Sequence, residues 1–262
     1  MHATGPEPRP PSTRGSRAAR PVRRVLAIGG GGFLMESAPS PVDALLLELA
    51  DKGRPRVCFL PTPSGDLPEH IEAFYKAFDP RSCEPSHLAF FRRPGAGSVA
   101  LAGFAQHLAA QDAIFVGGGN TRSALAVWRE WGADTALRRA YRAGVLLAGM
   151  SAGAMCWFEA GLTDSYWGAG YQPLRCLGLL PGGCGVHHRS EPGRRERLLA
   201  AVEAGTVPAS VAIDDHAAVL YEDEVRARTF SWADGAGAVS ISLQAGRIEE
   251  VPHECQRIGA GG

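Results

Sequence analysis

The sequence predicts a three-layer α/β fold around a mostly parallel sheet. Two observations carry that reading. From residue 24 onward, short β-branched and apolar runs alternate with helical stretches, the pattern of a parallel sheet covered on both faces. The composition is that of an ordinary globular chain: 45% of the 262 residues are hydrophobic and 21% charged, which allows a sizeable core.

Taken in chain order, strands are predicted at 24–28 (RVLAI), 56–60 (RVCFL), 86–90 (SHLAF), 112–116 (DAIFV) and 145–148 (VLLA). Each is a short apolar run of the length a buried strand needs. Helices fill the intervals at 41–51, 67–78, 100–108 and 120–143, the last broken near Gly132. After Gly185 the pattern changes. A helix near 193–204 precedes the shorter runs Val211–Ile213, Ala217–Tyr221 and Val239–Leu243 and a strand ending near Val251, expected as antiparallel strands at the C-terminal edge of the same domain. The expected organisation is an Arg- and Pro-rich disordered extension over 1–23, one domain over 24–255 and a flexible tail over 256–262.

Charge and cysteines narrow the function classes. The 27 basic and 27 acidic residues cancel, which argues against a broad nucleic-acid surface and favours a small partner. Six cysteines without paired C-x-x-C spacing point to a reducing, cytoplasmic setting. No apolar run approaches the roughly 18 residues that span a bilayer, so no membrane partner is expected. Arg23-Arg24 has the form of a twin-arginine signal, but only Val25–Ile28 follows before four glycines, too short for a secretory apolar stretch. A homodimer is left open.

Chemistry concentrates at two strand ends. Gly149-Met150-Ser151-Ala152-Gly153 lies between a strand and an apolar stretch, the context of a nucleophile elbow, where a helix N-terminus favours a developing oxyanion. Val116-Gly117-Gly118-Gly119-Asn120-Thr121 has the same setting, and Gly118 or Gly119 can supply a second N–H donor beside Ala152. Asn120 caps the next helix or faces a substrate amide. Both turns fall at the carboxyl edge of the sheet, where open α/β folds place ligands. Gly29–Gly32 is read as a turn lining the same cleft. The acid of a dinucleotide fingerprint is missing after the second strand, so no cofactor is expected.

A serine nucleophile needs a base. His187 and His188 sit in a loop before a helix, and His216 lies in Asp214-Asp215-His216; the other five histidines read as ordinary surface or core positions. Cys184 and His187 have the spacing of half a zinc site with no second pair, so no metal is expected.

Gly117–Thr121, Met150–Ala154 with Cys156-Trp157-Phe158, Thr163-Asp164-Ser165, and Val186–Glu191 followed by Arg194-Arg195 together resemble the peptidase E (aspartyl dipeptidase) and cyanophycinase group of serine peptidases over most of 24–222. The resemblance implies a flavodoxin-like sheet related to class I glutamine amidotransferases, a Ser-His-acid triad, no metal, and hydrolysis after an N-terminal aspartate. It implies Ser151 as nucleophile and His187 as base. Val186, His188 and Arg189 depart from the Pro, Tyr and Asp usual around that histidine, which leaves His188 as a competing base.

The orienting acid accepts the Nδ1 hydrogen bond of the base. By the resemblance it is Asp164, thirteen residues past Ser151, with Glu159, Glu191, Asp214 and Asp215 as alternatives. Independently, Arg189, Arg194, Arg195 and Arg197 cluster after the proposed base, and guanidinium groups bind carboxylates bidentately. The expected substrate is therefore a small acidic peptide, with Arg194 or Arg195 on its aspartyl carboxylate and Asn120 at its amino end. Cleavage of β-aspartyl-arginine units and acidic-ligand binding without catalysis are the alternatives.

Overall fold

The computed structural model describes residues 20–36, 39–93 and 95–259. The greater part of the extension expected over 1–23, and residues 260–262 of the expected tail, lie outside these.

Five strands form the parallel core: β1 (Arg24–Ile28), β2 (Arg56–Leu60), β3 (Glu84–His87), β4 (Ala113–Val116) and β5 (Leu146–Met150). They lie in the order β3-β2-β4-β5-β1, all parallel. Apart from the edge strand β3, their side chains are mostly apolar on both faces because helices cover both. Helices α1 (Pro41–Leu49) and α2 (Pro68–Ala77) pack Leu46, Phe74 and Phe78 against Leu26, Phe59, Phe115 and Ala148. On the opposite face α3 (Phe104–Ala109), α4 (Thr121–Trp131) and α5 (Ala133–Arg142) pack Leu108, Leu125, Trp128 and Leu137 against Val25, Cys58, Ile114 and Leu147. This is the expected three-layer α/β architecture. Gly132, in the left-handed conformation at φ 72°, breaks the long helix where the sequence predicted.

The C-terminal third departs from expectation. Beyond β1 the main sheet continues through β10 (Ala217–Glu222), antiparallel to β1, β11 (Val225–Ser231), antiparallel to β10, and the two-residue strand β14 (Gln256–Arg257), parallel to β11. The supposed loose tail thus begins inside the sheet. A second, six-stranded sheet runs β13-β12-β9-β8-β6-β7, from β6 (Phe158–Thr163), β7 (Gln172–Arg175), β8 (Leu180–Gly185), β9 (Ser210–Ile213), β12 (Ala238–Gln244) and β13 (Arg247–Pro252). The strands expected at one edge are therefore divided between two sheets. Helix α7 (Arg194–Glu203) covers the second sheet through Leu198 and Val202. Trp157, Phe158, Leu180, Val186 and Ile213 belong to the same buried cluster as the main sheet, which locks the two sheets together.

Among the described residues no helix is long and apolar enough to cross a membrane. At the front of the chain, Arg23 pairs with Asp223 at 2.9 Å and Glu224 at 2.6 Å, which pins the entry to β1.

Candidate active site

Strand β5 is wholly buried and ends at Met150, so the chain must turn sharply to leave the sheet. It does so at Ser151, whose φ of 56° and ψ of −113° are costly for a residue with a Cβ. The strain is held by the Ser151 N–H donating to the Ile28 carbonyl at 3.0 Å and by close packing at Gly153, where a Cβ would lie 2.1 Å from the Val116 carbonyl oxygen. Helix α6 (Ala152–Met155) begins at once, and its first turn points its N–H groups back at the serine. It is only four residues long: Trp157 ends the bend and Phe158 opens β6.

From β8 the chain reaches His187, also at positive φ (50°). Its Nε2 lies 2.8 Å from Ser151 Oγ, and its Nδ1 lies 2.5 Å from Asp215 Oδ1. Asp215 follows β9, and its backbone is bridged to Gly30 in the turn after β1. Burial pushes the Asp215 carboxyl up, but hydrogen bonds from His187 and Ser190 and the nearby imidazoles outweigh it and hold the group below its ordinary value. An ionised carboxylate thus faces Nδ1, which favours Nδ1–H and leaves Nε2 free to accept from the serine hydroxyl.

Gly118 and Gly119 stand beside the serine; a Cβ on Gly118 would be 3.5 Å from Ser151 Cβ. The N–H groups of Gly118, Gly119 and Ala152 make no hydrogen bond within the described chain. The structure brings together Ser151, His187 and all three expected oxyanion donors.

It does not bring Asp164 to His187. That carboxylate is 66% exposed and 3.9 Å from Arg194, with no hydrogen bond to the imidazole. The geometry moves the acid to Asp215, which the sequence left among the alternatives. The others are engaged elsewhere: Glu159 accepts from the Gly182 N–H at 2.9 Å, Glu191 from Tyr171 and Arg194, and Asp214 from Arg189 and the Gly237 N–H. His188 is buried with an unpartnered Nδ1, and burial lowers its pKa; no bond joins it to Ser151. His216 bonds Glu36 at 3.1 Å.

The expected substrate-binding residues are also committed. Asn120 Oδ1 accepts from the Ser123 N–H at 2.8 Å, capping α4, and Nδ2 donates to the Ser165 carbonyl at 3.2 Å. Arg194 is buried, pairs with Glu191 at 2.6 Å and lies over the Tyr171 ring. Arg195 pairs with Glu250 at the surface.

A recess of about 340 Å³ opens on Ser151 and His187, lined by Leu34, Met35, Leu67, Met150, Ser64 and His70 beside the two glycines. Through Ser64 and Gly119 it meets a larger one of about 730 Å³ that includes Asn120, Asp164 and Trp167. His70, set aside as ordinary in the sequence, therefore reaches the site from the first turn of α2. Among the described residues no group of three or more His, Cys, Asp or Glu side chains is placed to hold a metal ion. Cys184 lies buried with its thiol pushed up by burial.

Residues 25–228 match the model of peptidase family S51. A curated relative, the uncharacterized peptidase YgaJ of Bacillus subtilis (strain 168), is 38% identical over 239 residues, covering 91% of this chain and all of the relative. Two solved structures share the fold: a peptidase E candidate from Listeria monocytogenes EGD-e (TM-score 0.60, 19% identity, 81% of this chain and 100% of that one) and a peptidase from an acI-B1 actinobacterium (0.62, 17%, 88% and 97%).

Proposed function

The chain belongs to peptidase family S51, and from that premise we propose that it is a serine-type peptidase whose triad is Ser151, His187 and Asp215. The observation that carries the reading is the unbroken relay from Oγ through the imidazole to a carboxylate, at 2.8 and 2.5 Å. Ser151 Oγ attacks the peptide carbonyl while His187 Nε2 takes its proton. The oxyanion forms between the Ala152 N–H and those of Gly118 and Gly119, donors fixed in advance by the elbow and the glycine turn. The imidazolium, steadied by Asp215, returns the proton to the leaving amine. Water then resolves the acyl-enzyme by the same route.

The relay supports hydrolysis over a role as a binding scaffold. The six cysteines are unbridged, which supports a cytoplasmic setting. Release of an N-terminal aspartate, the finer expectation, came from the family resemblance, with Arg194 or Arg195 expected to receive the substrate's carboxylate. Both guanidiniums already hold one, so the proposal extends to peptide-bond hydrolysis and not to that selectivity. The test is amine release from a dipeptide panel that includes Asp-Leu and β-aspartyl-arginine. Wild type is expected to cleave at least one member, and Ser151→Ala to lose about 10⁴-fold or more. Equal slow release by both proteins refutes the proposal.

A further inference from the structure

Resting on the serine-peptidase reading, we infer that the recess at Ser151 selects a substrate whose acyl-donating residue carries an uncharged, apolar side chain instead of a carboxylate. The recess contains the nucleophile and the candidate oxyanion donors Gly118 and Gly119, so a carbonyl held between them delivers its own residue's side chain into the same space. That space is walled by Leu34, Met35, Leu67 and Met150. Apart from the triad members, its polar side chains are Ser64 and His70. Ser64 Oγ already donates to the Pro61 carbonyl at 2.8 Å. His70 is half-buried, and burial lowers its pKa, so at neutral pH it offers a neutral ring and no counter-charge.

Among the described residues, no Arg or Lys lines this recess or the larger one beside it, whose one charged lining group there is Asp164. Three of the four guanidiniums that follow the base are bound to an acid, Arg189 to Asp214, Arg194 to Glu191 and Arg195 to Glu250, and the fourth, Arg197, is exposed on α7 and lines neither recess. Arg122, further along, lies over the Tyr166 ring. A carboxylate entering beside Ser151 would lose water and meet no cationic side chain among the described residues, whereas an aliphatic side chain would gain contact with Leu34, Met35, Leu67 and Met150.

The experiment compares the rates at which two diphenyl α-aminoalkylphosphonates, one with the leucine side chain and one with the aspartate side chain, modify Ser151 in the full chain. In each, the serine Oγ bonds to phosphorus, phenoxide leaves, and the hydroxyl proton passes through His187 to it. Intact mass follows the adduct without requiring turnover of a peptide. The leucine reagent is expected to react at least about ten-fold faster. Leu67→Arg, at a half-exposed rim position, is expected to narrow that ratio to within about three-fold by supplying a counter-charge. Equal rates, a faster aspartate reagent, or a ratio unmoved in Leu67→Arg overturns the inference and leaves the peptidase reading standing. Labelling of Ser151 by neither reagent instead defeats the peptidase reading, and the inference falls with it.

Discussion

Replacing Asp215 by Asn tests the site at the point where geometry and family likeness part company. The substitution keeps the side chain's size and shape, and the site is only partly buried, so the fold should be little affected. What changes is the group 2.5 Å from His187 Nδ1. A carboxylate can only accept there, which places the proton on Nδ1; an amide can present its NH₂ and favour the other tautomer, whose Nε2–H points at Ser151 Oγ and cannot take its proton. Loss of the correct tautomer together with the imidazolium's counter-charge costs kcat about 10⁴-fold in triads of this kind, or about 5 kcal/mol at 1.36 kcal/mol per decade. Asp164→Asn removes an exposed carboxylate 3.9 Å from Arg194, an interaction worth at most about 1 kcal/mol of stability, and kcat should stay within about two-fold. The assay is kcat on the best-cleaved dipeptide, with the phosphonate reaction rate as a second readout and a thermal melt to show that both variants fold. If Asp164→Asn loses a thousand-fold and Asp215→Asn does not, the orienting acid is in the other loop and the geometric argument is wrong.

Gly30→Ala acts on the triad without replacing a triad residue. The new Cβ would lie 2.0 Å from Asp215 Oδ1 and 2.8 Å from His187 Nδ1, so the acid must swing away; kcat should fall about 10²-fold or more with KM little changed, and an unaltered kcat would mean that the relay is not needed in this arrangement. Asp43 is a buried carboxyl beneath the Gly32–Leu34 turn, and burial pushes it up to about 7. The folded state keeps a proton that the unfolded chain releases near its ordinary value of 3.8, so stability is full at acid pH and falls as pH rises from about 4 to 7. The upper bound of that fall is about 4 kcal/mol. Asp43→Asn should therefore be more stable than wild type at pH 8, by about 2 kcal/mol after discounting for relaxation, and close to it at pH 4, as read by urea unfolding; a wild-type stability flat across that range contradicts the assignment.

The parallel core was legible because its strands are short apolar runs buried on both faces. Predicted and observed bounds agree at β1 and β2 and within two residues at β4 and β5. Strand β3 came out two residues early and ends at His87. The cause is Asp66, whose Oδ2 takes the N–H groups of Phe90 and Phe91 at 2.6 Å each and draws that stretch out of the ladder. The second sheet was hidden for a different reason. The apolar run after the elbow, Ala154–Phe158, suits a helix as well as a strand, and local pattern cannot say that the helix stops after four residues. In β8, Leu180–Gly185, three of six residues are glycines that β propensity disfavours. They are required by neighbours remote in sequence: a Cβ on Gly182 would lie 2.6 Å from the Ala209 carbonyl, and one on Gly183 2.2 Å from Ser210 Oγ.

The same distinction explains which half of the site could be read. Ser151 and the Gly117–Gly119 turn announce themselves because strand, bend and donor lie within a few consecutive residues. The acid does not, since its position depends on how the segment after β9 lies against the turn after β1, far away in sequence. Asp214 and Asp215 are adjacent on an extended chain, so their side chains diverge. One goes to Arg189 and the Gly237 N–H, the other across Gly30 to His187. Nothing local tells the two apart, and the arginine that takes Asp214 belongs to the cluster from which Arg194 or Arg195 was expected to bind substrate. Arg189 and Asp214 thus satisfy each other, leaving Asp215 to the imidazole. The departure at 189 that put the histidine loop in question becomes a brace between that loop and the segment carrying the acid, holding the base and its partner in register.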